Sequence, residues 1–258
     1  MNTDVKNFDS YNKNMAKSIV DKMFFWDKVD AQFFVDFGCA DGTLIKMLQG
    51  LDPDMKFMGY DICNDMLEIA RQNCTETDFT SSWDVVKTVV DVKKQEGLKT
   101  CLILSSVIHE VIHYSSEAEI DAFWHNIYNS GFDFICVRDI IPSRTIDRPA
   151  DLNDYINIIK KGDKNKISEF ESVWGSVENN KNLIHYLLKY RWEANWDREI
   201  KENYFAIYRE DFLRLVGDSY ELIYHEHFLL PYVRESIKKD YDITIRDYTH
   251  LKLILKLK

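Results

Sequence analysis

The spacing of hydrophobic and polar positions alternates between two patterns along the first half of the chain. Short apolar runs, typical of buried parallel strands, are followed by segments whose apolar residues recur at helical spacing. Strands are predicted at 33–37, 56–60, 78–81, 100–104 and 132–137, and helices at 10–26, 43–49, 64–72, 85–96 and 117–129. Because strands and helices follow one another in turn, the sequence predicts an α/β fold with a doubly wound parallel sheet.

The second half of the chain loses this alternation after Pro142. Residues 148–208 are helical in pattern and rich in aromatic side chains. A helix at 209–216, strands at 220–226 and 249–257, and a short helix near 232–239 are predicted to follow. Insertions in doubly wound folds tend to lie above the carboxyl ends of the strands, where ligands bind. We therefore predict three units: the N-terminal helix with the α/β core at 1–142, a helical insertion acting as a substrate lid at 143–208, and the closing helix and strands of the core at 209–258.

Composition and charge narrow the classes of function. Of 258 residues, 45% are hydrophobic, which is enough for a large core. The net charge of -10 argues against sequence-independent binding of nucleic acid phosphates over a broad surface. The five cysteines form no CxxC pair and are interpreted as reduced thiols. The polar, acidic N-terminus does not resemble a secretory signal, and no apolar run is long enough to span a membrane, so we expect a cytoplasmic protein.

The turn after the first predicted strand has the most informative local sequence. It contains Asp36, and small residues alternate through Gly38, Cys39, Ala40 and Gly42. Small residues allow a sharp turn between strand and helix and a close approach of a ligand to the backbone. The second strand ends at Tyr60-Asp61, where a carboxylate can accept the hydroxyls of a ribose. These features together predict a nucleotide-type site.

The small residues are spaced differently from the dinucleotide pattern G-x-G-x-x-G. Gly38-x-Ala40-x-Gly42 resembles motif I of the class I S-adenosylmethionine-dependent methyltransferases, and Tyr60-Asp61-Ile62 with the helix after it is similar to that family's second motif. The resemblance covers roughly residues 30–140, and the two C-terminal strands match the family's closing hairpin. It implies a seven-strand Rossmann-like sheet, mostly parallel with an antiparallel C-terminal hairpin, and S-adenosyl-L-methionine as the cofactor.

The resemblance also implies roles for individual residues. Asp36 and the backbone of Gly38, Cys39, Ala40 and Gly42 would surround the methionine portion of the cofactor. Asp61 would hold the ribose hydroxyls, and Ile62 would pack on the adenine. Ser82 and Trp83 occupy the place where the family usually has an acid near the adenine amine, and Asp84 is the acid nearest to it here. Ser105, which follows the fourth strand, completes the predicted cofactor-binding set.

The string His109-Glu110-Val111-Ile112-His113 matches the HExxH pattern of zinc peptidases. No third-ligand pattern follows it, and it comes directly after the fourth strand, where the resembled family places a loop facing cofactor and substrate. We therefore predict no metal site and interpret His109 and Glu110 as candidate catalytic residues. A neutral imidazole or a carboxylate can remove a proton from the methyl acceptor. Packing of a short helix is the structural alternative for both residues.

Three further pairs have both structural and functional interpretations. Arg138 and Asp139 are interpreted as a salt bridge that holds the lid rather than as substrate ligands. Trp192 and Trp196, four apart on a predicted helix, are more typical of core than of a stacking wall for a flat substrate. His225 and His227 share one face of a strand, but no third metal ligand can be named for them.

The sequence thus predicts an S-adenosylmethionine-dependent methyltransferase with a small-molecule acceptor. RNA is the alternative acceptor, because a local basic strip is conceivable, although acidic residues interrupt it. Its members would be Lys160, Lys161, Lys164, Lys166, Lys189 and Arg191. A non-catalytic module that binds the cofactor and a partner is a further alternative, and a zinc hydrolase is the least favoured. The sequence gives no indication of oligomeric state.

Overall fold

A computed structural model describes residues 18–258 of the chain. The strands are β1 Phe33–Phe37, β2 Lys56–Tyr60, β3 Asp78–Thr80, β4 Thr100–Ser105, β5 Phe134–Ile140, β6 Tyr220–Phe228 and β7 His250–Leu257. The helices of the first half are α1 Ile19–Lys22, α2 Thr43–Leu51, α3 Asn64–Asn73, α4 Trp83–Gln95, α5 Ile108–Tyr114 and α6 Glu117–Asn129. Those of the second half are α7 Leu152–Lys161, α8 Lys164–Trp174, α9 Asn180–Lys189, α10 Trp196–Glu199, α11 Arg209–Phe212 and α12 Pro231–Tyr241. The first part of the helix predicted at 10–26 lies outside the described residues.

The strands form one seven-stranded sheet in the order β3-β2-β1-β4-β5-β7-β6. β1 to β5 are parallel, and β7 runs antiparallel between β5 and β6. The predicted fold class is therefore confirmed, including the antiparallel C-terminal hairpin. In the register, Phe37 at the end of β1 lies opposite both Tyr60 of β2 and Leu104 of β4. The turns that follow these three strands consequently meet at one edge of the sheet.

Each face of the sheet has its own hydrophobic core, because side chains alternate along a strand. Phe33, Val35 and Phe37 of β1 face a core with α4, α5 and α6, whereas Phe34 faces a core with α2 and α3. Val35 is fully buried. Full burial of an aliphatic side chain of that size contributes about 1.5–3 kcal/mol to the free energy of unfolding. These two cores fix the sheet edge at which the turns converge.

The helical insertion, residues 143–208, has a third core, which it shares with the connection between β6 and β7. Phe170, Ile184 and Tyr186 of the insertion pack in the same cluster as Ile237 and Tyr241 of α12. The insertion therefore rests on α12 as well as on the sheet. The three-unit division at 142/143 and 208/209 stays a prediction.

Several predicted boundaries differ from those observed. β5 continues to Ile140, beyond the predicted end at 137, and α11 ends at Phe212 instead of 216. Ser82 is the N-cap of α4, so this helix begins at Trp83 instead of 85 and Asp84 lies in its first turn. α6 begins at Glu117 as predicted, and Ser116 and Glu119 form a capping box at its start. The longer β5 places Arg138 and Asp139 inside the sheet, with consequences for the site.

Candidate active site

The turn between β1 and α2 has three residues with left-handed backbone: φ is +75° at Gly38, 47° at Ala40 and +76° at Gly42. The amides of Gly38 and Cys39 donate to the Tyr60 carbonyl over 2.7 and 3.1 Å. A Cβ at Gly38 would lie 3.0 Å from Cγ2 of Val107. Glycine is required there both for the backbone angle and for the close approach of the loop after β4.

Asp61, at the end of β2, holds this turn in place. Its Oδ2 accepts from the Ala40 amide over 2.9 Å, and its Oδ1 accepts from the Cys63 amide over 2.9 Å. A carboxylate has about four acceptor sites. The side chain therefore keeps acceptor capacity for the hydroxyls of a ligand while it organises the turn.

Asp36 lies beneath the turn rather than on its surface. Its side chain is only 3% exposed, and burial raises the pKa of its carboxyl to about 7 despite the nearby Lys22 ammonium. Burial and the neighbouring Arg138 lower the pKa of Lys22 to about 8. The predicted role of Asp36 next to a cofactor therefore depends on a buried carboxyl that faces an ammonium from α1.

The remaining predicted cofactor residues surround the same sheet edge. Ile62 is 46% exposed and Ser82 is exposed, so both are open to a ligand. The Trp83 ring packs on Phe37 and Tyr60, with ring centroids at 5.6 and 5.4 Å. Ser105 is buried at the end of β4, and its hydroxyl has no hydrogen-bond partner among residues 18–258. The structure brings these residues together, and their contacts with a cofactor stay a prediction.

Asp139 of β5 organises the loop after β4. It is fully buried; its Oδ2 accepts from the amides of Val107 and Ile108 over 2.9 and 2.6 Å. Its Oδ1 accepts from Nδ1 of His109 over 2.5 Å. A carboxylate at this position satisfies amides at the start of α5 and complements the positive end of the helix dipole.

The interpretation of Arg138 and Asp139 as one salt bridge holding the lid is therefore wrong. Arg138 donates to Asp21 and Ser106 instead, over 2.9 and 2.8 Å. The two side chains point to different partners because they alternate along β5. Asp139 reaches the helical insertion only indirectly, through His109.

His109 links Asp139 to the helical insertion. Its Nε2 donates to Oε1 of Glu202 over 3.0 Å. Burial alone would lower the pKa of this imidazole, but the charges and hydrogen bonds of Asp139 and Glu202 hold it well above its ordinary value. The raised pKa favours the imidazolium, in which both ring nitrogens donate hydrogen bonds to carboxylates. This geometry disagrees with the hypothesis that a neutral His109 takes a proton from the acceptor.

Arg198 forms ion pairs with three carboxylates of the site. Its guanidinium lies 3.1 Å from Glu110, 3.1 Å from Glu199 and 3.4 Å from Oε2 of Glu202. Burial and the neighbouring Glu202 carboxylate raise the pKa of Glu110, and the same two causes raise that of Glu199. Burial also raises the pKa of Glu202, but the hydrogen bond and charge of His109 outweigh it and keep the pKa below its ordinary value.

Lys189 secures the backbone that carries these acids. The buried ammonium donates to the carbonyls of Glu199 and Glu202, the second over 2.5 Å. Burial lowers its pKa to about 7, although both acids favour the charged form. Lys189, a member of the basic strip predicted from the sequence, is therefore buried in the interior. Arg191 is also engaged, through Asp240 at 2.6 Å.

A cavity of about 110 Å³ lies beneath the insertion, and a larger one of about 340 Å³ adjoins it. The inner cavity is lined by Ser106, Arg138 and the acids of the Arg198 group, along with His109 and Tyr204. Four residues line both cavities: Leu188, Trp192, Tyr232 and Val233. The inner chamber thus has several charged side chains in its wall, whereas the wall of the outer chamber consists mainly of aliphatic and aromatic side chains.

The HExxH string does not form the site of a zinc peptidase. His109, Glu110 and Glu202 bring ligand atoms within 4.8 Å of one another, but His113 is outside this group. Its ring packs on Tyr114 and Trp174 instead, with centroids at 4.4 and 6.4 Å. The pattern therefore arises from a helix whose two histidines have different surroundings.

Trp192 and Trp196 separate in the structure, whereas the rings of His225 and His227 remain neighbours on β6, with centroids 5.7 Å apart. Trp192 lines both cavities, whereas Trp196 is buried at the start of α10 and donates to Glu169 over 2.7 Å. The pair does not form one stacking wall, because a 3-10 turn interrupts the predicted helix between them. His227 contacts Arg209 over 3.0 Å rather than forming a metal pair with His225.

The charged groups from the insertion were not among the sequence-predicted site residues. Arg198, Glu199 and Glu202 lie about ninety positions after Glu110, and the order of elements does not indicate that they return to it. A signal was present, since Arg198 and Glu202 have the i,i+4 spacing of a helical ion pair. That spacing is common on helix surfaces and did not distinguish a buried pair from an exposed one.

Within residues 18–258, no helix combines the length and apolar character needed to cross a bilayer. No protein-family model matches the chain. No curated protein matches it in sequence either.

Solved structures do match the fold. A SAM-dependent methyltransferase from Anabaena variabilis ATCC 29413 is similar with a TM-score of 0.54 at 12% identity, over 95% of this chain and 86% of that one. The pyocyanin biosynthetic protein PhzM has a TM-score of 0.53 at 11% identity, over 98% of this chain and 60% of its own. The plantazolicin methyltransferase BpumL, in complex with a triazolic desmethylPZN analog and SAH, has a TM-score of 0.50 at 10% identity, over 98% and 88%. The strand order, the closing hairpin and these similarities show that the chain has the fold of the class I S-adenosylmethionine-dependent methyltransferases.

Proposed function

We propose that the protein is an S-adenosylmethionine-dependent methyltransferase that acts on a small molecule enclosed beneath the helical insertion. One observation carries the proposal: the glycine turn and the cavity meet at Val107. Gly38 packs against Val107, while Ser106 and His109, on either side of Val107 in the sequence, line the inner cavity. A cofactor held by the turn would therefore lie next to a molecule in the cavity.

The residues at the sheet edge fit such a cofactor. The turn has left-handed glycines where a Cβ would collide, Asp61 retains acceptor capacity, and the Ser105 hydroxyl is buried without a partner among the described residues. The similar structure of BpumL contains SAH, the demethylated cofactor product. When bound, S-adenosylmethionine would supply an electrophilic methyl group.

Glu110 is the residue that we assign to proton transfer. It lines the inner cavity, and the pKa of its carboxyl is raised toward neutral pH. A general base works best when its pKa lies near the operating pH. His109 is assigned a positioning role, since it holds Glu202 and the start of α5 through its two hydrogen bonds. The insertion would exclude water from the reacting atoms.

A small acceptor fits the site better than RNA. The two adjoining cavities measure about 110 and 340 Å³ and lie under the insertion, which suits a compact molecule. The basic strip that would favour RNA includes the buried Lys189 and the Asp240-paired Arg191. For the compartment we propose the cytoplasm, because all five cysteines are unpaired, as is usual for proteins of reducing compartments.

Titration calorimetry with S-adenosylhomocysteine tests the proposal. Wild-type protein should bind it, Asp61→Ala should bind it at least about tenfold more weakly, and the exposed Glu68→Ala on α3 should match wild type. Loss of two backbone hydrogen bonds in Asp61→Ala also loosens the turn, so Asp61→Asn serves as a second variant of nearly the same shape. Absence of binding by wild type, or tighter binding of NAD than of S-adenosylhomocysteine, would overturn the proposal.

A further inference from the structure

We propose that the inner cavity binds an organic ammonium ion, so that the acceptor is an amine with an apolar body. This inference rests on the proposed function and specifies its substrate class. Three observations carry it: the charge of the buried cluster at the cavity, a buried carboxylate oxygen without a hydrogen bond, and the chamber next to it, which is lined mainly by apolar and aromatic side chains.

The buried cluster of charged groups at the inner cavity contains more acids than bases. Glu110, Glu199 and Glu202 line the cavity, and the buried Asp139 lies behind His109. The cations of the cluster are Arg198, His109 and Lys189, whose ammonium donates to backbone carbonyls. Arg138, a further cation of this cavity, is paired with Asp21. A net negative charge in a buried site favours a cationic ligand, since unpaired buried charges are costly.

Glu202 identifies where such a ligand would bind. Its side chain is 2% exposed and lines the cavity, and its Oε1 already accepts from His109. Oε2 accepts no hydrogen bond from any residue that the structure describes, and the Arg198 guanidinium lies 3.4 Å from it. Buried carboxylate oxygens nearly always have a donor. An ammonium N–H in the cavity would supply that donor.

The outer chamber indicates what the ammonium would be attached to. It is lined mainly by aliphatic side chains and by the aromatic rings of Tyr190, Trp192 and Tyr232. Ser236 and Arg191, which is paired with Asp240, complete the lining. Apolar and aromatic walls bind an apolar group, and aromatic faces also favour a nearby cation. The paired chambers therefore fit a primary amine whose carbon skeleton occupies the outer space.

An amine fits the group of His109, Glu110 and Glu202 better than a divalent cation does. A metal would need a lone pair on the imidazole, but both ring nitrogens of His109 donate to carboxylates. The Arg198 guanidinium also lies among the acids, and its fixed charge repels a divalent ion about twice as strongly as a singly charged ammonium at the same distance.

The bound ammonium must lose one proton before its nitrogen can react. We assign that proton to Glu110: one N–H bond breaks, a carboxyl O–H bond forms, and the electron pair stays on nitrogen. Burial and Glu202 raise the pKa of Glu110 toward the range in which it can hold the proton. Arg198, 3.1 Å away, fixes the carboxylate in position.

The test compares three ligands of nearly equal shape on the full chain saturated with S-adenosylhomocysteine. 2-Phenylethylamine, 2-phenylethanol and phenylacetate differ in having a cationic, neutral or anionic end. Thermal unfolding should shift upward with the amine and not with the alcohol or the acid. Glu202→Gln should weaken the binding of the amine by about tenfold or more, whereas Glu76→Gln, at an exposed position, should leave the affinity for the amine unchanged.

The outcomes separate this inference from the proposed function. If wild type binds S-adenosylhomocysteine but responds equally to amine and alcohol, or to neither, the ammonium site is overturned and the methyltransferase proposal stands. Stabilisation by Mn²⁺ in place of the amine would assign the acids to a metal instead. If Glu202→Gln fails to fold, the comparison of the three ligands on wild type still decides the question.

Discussion

Replacement of Asp139 by Asn tests the centre of the site. The side chain is fully buried and accepts hydrogen bonds from the amides of Val107 and Ile108 and from Nδ1 of His109. Asn has nearly the same shape but offers a single acceptor oxygen and an NH₂ group. If the oxygen serves the two amides, the NH₂ faces the N–H of His109, and two donors oppose each other.

The size of the effect follows from the loss of one charge in a buried pair. Removing one partner of such a pair costs about 3–5 kcal/mol, because the other charge remains buried without compensation. The free energy of unfolding of a domain is typically only about 5–15 kcal/mol, so this loss would be a large fraction of it. The start of α5 and the link to Glu202 should loosen together, since His109 connects them.

Urea unfolding at neutral pH, followed by the fluorescence of the six tryptophans, measures the loss. The exposed Asp91→Asn in α4 is the matched control and should stay within about 0.5 kcal/mol of wild type. A loss below about 1 kcal/mol for Asp139→Asn would refute the reasoning. It would mean that His109 gives up its proton at little cost and that the pair does not organise the loop.

Three further predictions concern neighbouring features. His109→Gln should cost most stability below the ordinary imidazole pKa of 6.5, because the folded-state pKa is higher and the stabilisation is lost as pH rises through it; urea midpoints that do not converge with wild type at alkaline pH would contradict this. Glu110→Gln should abolish turnover of an amine but leave S-adenosylhomocysteine affinity intact, and wild-type turnover should fall as acid protonates Glu110, whose pKa is raised; full activity of the variant would exclude the base role. Gly59→Ala should lower the free energy of unfolding by about 1–3 kcal/mol, because its Cβ would lie 2.3 Å from Cδ1 of Phe79. The Cβ of Gly50→Ala would meet nothing within 4 Å, so this variant should raise the free energy of unfolding by about 0.5–1 kcal/mol. Equal changes in the urea midpoint of the two variants would count against the packing argument.

The sheet could be predicted from the sequence because its signals are local. The apolar run at 100–104 became the buried strand β4, and α6 spans Glu117–Asn129 as the helical spacing indicated. Strand ends were less certain, since Arg138 and Asp139 are charged and still continue β5. Partners across the fold compensate those charges, and the local sequence does not contain that information.

The site could be predicted only in part, for the same reason. The glycine turn and Asp61 belong to consecutive elements, so their spacing indicated a shared edge, which the hydrogen bond between Ala40 and Asp61 confirms. The protonation of His109 depends on Asp139 and Glu202, which come from separate parts of the chain. An HExxH string alone could not distinguish a free base from an imidazolium between two carboxylates.

Hydrogen exchange of the wild-type amides, with and without S-adenosylhomocysteine, tests the central claim most directly because it locates the bound molecule. The account predicts slower exchange in peptides covering the turn at 38–42 and the end of β2 at 60–63, with no change in the edge strand β6. Unchanged exchange at the turn, or protection confined to another face of the protein, would contradict the assignment of the Gly38–Gly42 turn as the cofactor site.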